Sequence, residues 1–73
     1  MSKEIYTNKY KKLTEKLKKA REDAGLTQVQ ASERLGKPQS YFSKIERGER
    51  RIDAVELAEL ARIYKKSLDY FVS

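Results

Sequence analysis

The sequence predicts an all-α fold, a compact domain of five helices. Three observations predict it. Apolar residues recur at steps of three and four through most of the chain, glycine or proline interrupts it at residues 25, 36, 38 and 48, and residues suited to starting a helix follow the breaks. The one β-like run, Tyr70-Phe71-Val72, is too short to pair, and no internal repeat or low-complexity linker is present. At 73 residues the chain is one small domain. A domain of this size buries only about 60% of its unfolded surface, so a partner subunit would help it.

Each helix has its own warrant. Tyr6, Tyr10, Leu13, Leu17, Ala20 and Ala24 share one face of helix 1, which stops at Gly25, a residue suited to a left-handed C-terminal turn. Its start is open, because Thr7 and Asn8 suit a cap or the helix interior. Residues 1–9 therefore read as an N-terminal extension or the start of helix 1, and 10–73 as the domain proper. Thr27 is a fitting N-cap for helix 2, which buries Ala31 and Leu35 and ends at Gly36. Pro38, lacking an N–H, suits the first turn of helix 3 and makes Lys37 its cap. Helix 3 turns Phe42 and Ile45 inward and stops near Gly48. Ile52 anchors the loop that follows. Asp53, with Glu56 three residues on, begins helix 4, whose inner face is Leu57, Leu60, Ala61 and Tyr64. Ser67 or Asp69 begins a short helix 5 with Leu68 and Phe71 inward.

Composition narrows the function. With no Cys there is no disulfide, thiolate nucleophile or soft metal site, and with no His the commonest metal ligand and general base are missing. No metal, cofactor or enzymatic activity is expected. No apolar run exceeds three residues, which fits a soluble, cytoplasmic protein without a signal peptide or membrane span. The net charge is +6, and it is unevenly placed: residues 1–25 carry eight basic and four acidic side chains, 26–52 six and three, and 53–73 three and four. The basic excess favours a polyanion, although lysine-rich helix faces are often simply solvated. Helix 1 lying on an anionic membrane is disfavoured, since its apolar stripe is needed for the core.

Helices 2 and 3, joined by a tight glycine turn, form a helix-turn-helix candidate. In such a unit the N-terminal part of the second helix enters the major groove of DNA. Gln28, Gln39, Ser40, Ser43 and Lys44 lie off the apolar face, and four of them cluster early in helix 3. Gln can bond adenine N6 and N7 together, Ser can serve several bases, and Lys can reach guanine or phosphate. Taken singly, each could be only a wetted surface residue; the set and its spacing give the motif its force.

With these residues in view, the segment Leu17 to Val72 resembles the lambda-repressor-like, Cro/C1-type helix-turn-helix family, also called the XRE family. The likeness rests on Leu26-Thr27-Gln28, Gly36, the block Gln39-Ser40-x-x-Ser43-Lys44-Ile45-Glu46-x-Gly48 and the closing Leu68-Asp69-x-Phe71, and covers about three quarters of the chain. It implies a sequence-specific transcriptional regulator of double-stranded DNA, a repressor binding a palindromic operator as a homodimer. It further implies that Gln28 meets a phosphate, that Gln39, Ser40 and Lys44 read bases with Ser43 as a weaker candidate, and that Arg21 and Glu46 form a structural ion pair. Lys37, Arg47, Arg50 and Arg51 are expected on the phosphate backbone. Tyr41 falls beside that edge or packs against helix 2, and the sequence leaves both open. Departures from the family pattern are Ala31 in place of Leu, Ser32 in place of Ala and Pro38 in place of Ser or Thr.

A dimer surface is expected in the least basic third, where Ile63, Tyr70 and Val72 either face a second copy or close the monomer's core. The alternative of another class is a protein-interaction module using the same fold, an antitoxin or an adaptor to the transcription machinery. The lysines of helix 1 and its approach, Lys9 to Lys19, are expected mostly to be solvated, with an arm from Lys3 to Lys9 reaching along the duplex as a further option.

Overall fold

A computed structural model describes residues 8–73, which form five α-helices and no strand. Their order is α1 (Asn8–Asp23), α2 (Gln28–Leu35), α3 (Gln39–Glu46), α4 (Ala54–Tyr64) and α5 (Leu68–Val72). The stripe on α1 does what its spacing requires: Leu17 and Ala20 are buried, and Leu13 and Ala24 pack partly against them. Asn8 and Lys9 are helical. Tyr6 and the start of the expected arm lie outside the described residues. α1 packs on α3, α4 and α5, and α2 on α3 and α4, around a core whose largest fully buried side chains are Phe42, Leu17, Ile45 and Leu60. Phe42 also meets Tyr41 edge to face at 5.0 Å, and Ala31 is fully buried in the same core.

Local chemistry sets the helix ends. Thr27 caps α2 and Asp53 caps α4, each in a reciprocal box with Gln30 and Glu56, so two orphan amides are satisfied at each start. Gly36 closes α2 at φ 71°, and its N–H and that of Lys37 both return to the Ser32 carbonyl. That left-handed geometry favours glycine, and it makes the turn between α2 and α3 short. Pro38 differs from expectation: it is itself the N-cap of α3, extended and without a side-chain bond, so the helix starts at Gln39 and Lys37 is not the cap.

Two further differences concern the C-terminal part. α5 has only five residues, and it turns Phe71 into the core while leaving Leu68 48% exposed, so Leu68 is not an inward residue. α4 stops at Lys65, which adopts φ 60° without being glycine. A side chain in that region costs about 1 kcal/mol, of which a glycine's looser unfolded state takes back part. Lys65→Gly is expected to raise the melting temperature by about 2–4 °C, measured by circular dichroism; a lowered melting temperature would contradict this account of the turn.

Candidate nucleic-acid interface

The first turns of α3 present Gln39, Ser40 and Lys44 to solvent, with Ser43 half-buried behind them and its hydroxyl donating to the Ser40 carbonyl at 3.3 Å. Behind this row runs a connected set of polar contacts. Gln39 Nε2 donates to Gln28 Oε1 at 3.4 Å, and Gln28 Nε2 donates to Glu46 Oε1 at 3.0 Å. Glu46 in turn accepts from Arg21, Nε to Oε2 at 2.7 Å and Nη2 to Oε1 at 3.1 Å, while Arg21 Nη1 donates to the Leu26 carbonyl at 2.8 Å. The two charged side chains are 10% and 6% exposed. The bond to Glu46 holds the Arg21 guanidinium above its ordinary pKa against the opposing effect of burial.

Arg21 and Glu46 are thus brought together as a forked, desolvated pair joining α1 to the end of α3. Both polar atoms of the Gln28 amide bond within the protein, and Nε2 keeps a second N–H that these bonds leave for another acceptor. Gln28 stands between the buried pair and Gln39. A glutamine steadied in this way loses less side-chain freedom when it meets a base than one free in solvent.

The expected phosphate-binding residues divide in two. Arg50 is committed: its guanidinium makes two bonds to Glu56 at 3.0 and 2.9 Å and lies 4.7 Å from the centre of the Tyr41 ring. The same contact holds the Glu56 carboxyl below its usual range. Arg47 pairs with Glu49 through Nε at 3.1 Å and Nη2 at 3.0 Å, a solvent-exposed contact of little energetic weight. Lys37 and Arg51 make no carboxylate pair among the described residues. Lys37 Nζ lies 5.4 Å above the Tyr41 ring, and the Arg51 guanidinium lies 5.5 Å above the Tyr10 ring.

Two expected roles are corrected by burial. Tyr41 is 7% exposed, and its hydroxyl is buried with no hydrogen-bond partner among the described residues, so it packs into the domain and does not reach out as a backbone contact. Burial pushes its pKa up to about 12. Ile63 is 6% exposed and belongs to the monomer's core, which removes it from any dimer surface. Tyr70 is half-buried beneath Lys66 and Lys16, 4.6 and 5.8 Å from its ring centre, and Val72 is exposed.

Sequence reasoning missed the pairing of Arg50 with Glu56 and the stacking of Arg51 on Tyr10. No spacing rule signals either. Glu56 was already accounted for by its capping box, and Tyr10 lies 40 residues from the Arg50 carbonyl that its hydroxyl donates to at 3.0 Å.

Among the described residues no helix is long and apolar enough to cross a membrane. Comparison with protein families gives a match to the Helix-turn-helix family over residues 17–71, which contains the whole polar set from Arg21 to Glu46 as well as the α2–turn–α3 unit. Searches of curated proteins and of solved structures return no match. The matched span exceeds half of the chain and coincides with its folded core, and the chain belongs to the Cro/C1-type helix-turn-helix family of DNA-binding regulatory domains.

Proposed function

We propose that the protein is a sequence-specific regulator, a repressor, that binds a palindromic site in double-stranded DNA as a homodimer. The observation that carries this reading is the exposed row Gln39, Ser40 and Lys44 on the first turns of α3, backed by Gln28. α3 enters the major groove, where Gln39 pairs with adenine N6 and N7 and Lys44 reaches guanine or a neighbouring phosphate. Ser40 serves a base edge, and Ser43 supports the turn. Lys37 and Arg51 set the register by holding phosphates, with Arg47 joining them once its exposed pair with Glu49 opens. A second copy docks through the C-terminal third, where Leu68 is 48% exposed near the half-buried Tyr70. The domain works in the cytoplasm, where its DNA lies.

Selection from a randomised duplex pool at near-physiological salt tests the proposal. It predicts an enriched inverted repeat whose half-sites lie roughly 34 Å apart, one turn of DNA. Salt-sensitive binding without enrichment would overturn it, because any basic protein shows the former, and would point to a protein partner for this fold.

A further inference from the structure

A groove of about 620 Å³ lies between the first turns of α1 and the end of α5, with Arg51 in its lining. Leu13, Phe71 and Val72 contribute its apolar lining, Lys9, Lys12, Lys16 and Arg51 its cations, and among the described residues no Asp or Glu side chain lines it. Lys16 is engaged, donating to the Ser73 carbonyl at 3.3 Å. Lys9 and Lys12 are exposed and make no ion pair among the described residues. Like charges gathered around one groove repel one another, and a polyanion relieves that repulsion.

The position of the cluster indicates which polyanion. The Tyr10 hydroxyl ties α1 to the Arg50 carbonyl at 3.0 Å, and its ring carries the Arg51 guanidinium, so the start of α1 is fixed to the loop that follows α3. Lys9 and Lys12 of α1 therefore share a groove with Arg51, on the loop that follows the helix-turn-helix. We infer that Lys9 and Lys12, with Arg51 held on Tyr10, form a second phosphate-binding edge that grips the DNA backbone outside the half-site read by α3. The inference rests on the DNA-binding function proposed above and extends its footprint to α1. This edge adds affinity and fixes the domain's tilt on the duplex without reading sequence.

The test compares two double variants of the full chain on one selected duplex, across a series of salt concentrations. Lys9→Gln with Lys12→Gln removes the edge. Lys11→Gln with Lys18→Gln removes the same charge from exposed lysines of α1 that do not line the groove. All four positions are exposed, so both variants are expected to melt as the parent does. The edge predicts that the slope of log K against log salt becomes shallower by about 2 in the first variant and stays nearly unchanged in the second, with the preferred sequence the same in both. Equal slopes for the two variants would overturn the edge while leaving DNA recognition intact. So would a loss confined to an acidic protein partner with DNA binding untouched. A parent chain that binds no duplex at any salt would overturn the functional reading and the edge together.

Discussion

Arg21→Ala is expected to destabilise the domain by about 3–5 kcal/mol, most of its stability for a chain of this length. The size follows from what the substitution strands. Arg21 satisfies both oxygens of Glu46 and the Leu26 carbonyl, and it does so where the Glu46 side chain is 6% exposed. Without the guanidinium, a carboxylate remains out of water with one amide of Gln28 as its partner. Thermal and urea unfolding measure the loss, and a curve superimposing on the parent's would contradict it. Arg21→Lys should recover little, since an ammonium cannot make the forked contact. Replacing both partners by apolar residues, Arg21→Met with Glu46→Leu, is expected to recover much of the stability because no charge is left buried. That double variant would still release Gln28 from its anchor. The pair thus links folding to the surface proposed to meet DNA.

The helix starts were legible where a side chain does the capping. Thr27 and Asp53 announce α2 and α4 because a hydroxyl or carboxylate near orphan amides has one obvious use. Pro38 was harder, since its ring suits the last position outside a helix as well as the first inside it. Lys65 gave no signal at all: a lysine has no preference of its own for the left-handed region that it adopts at the end of α4. Leu68 misled because five residues are too few for periodicity to choose a face. Leu26, buried at 8%, sits in a loop where no period applies.

The site was legible in part for the same reason. Exposed polar residues on α3 follow from its apolar face, which Phe42 and Ile45 declare. Arg21 and Glu46, 25 residues apart, came only from resemblance to a family, since charge counts do not reveal which charges meet. Tyr41 was undecided because an aromatic ring with a hydroxyl suits a core and a phosphate edge equally. The packing decides it, with Phe42 against its edge and Arg50 and Lys37 above its face.

The second large effect concerns recognition. Gln39→Ala removes the side chain best placed to bond a base and leaves the fold intact, because Gln39 is exposed and its bond to Gln28 is long at 3.4 Å. A bidentate contact of this kind discriminates by about 1–3 kcal/mol, or roughly fivefold to somewhat over a hundredfold. The loss should be local. Gln28→Ala should blunt the same discrimination more weakly, by letting Gln39 swing free, and Lys37→Ala should weaken all duplexes alike.

The most direct measurement is therefore a binding titration of the parent and Gln39→Ala on the selected duplex and on duplexes changed one base pair at a time. Base reading by α3 predicts that the parent is penalised at each changed position of the half-site, and that Gln39→Ala loses the penalty at one base pair while keeping it at the others. A uniform weakening across every duplex, with all the penalties preserved, would contradict the claim that this helix reads sequence through Gln39.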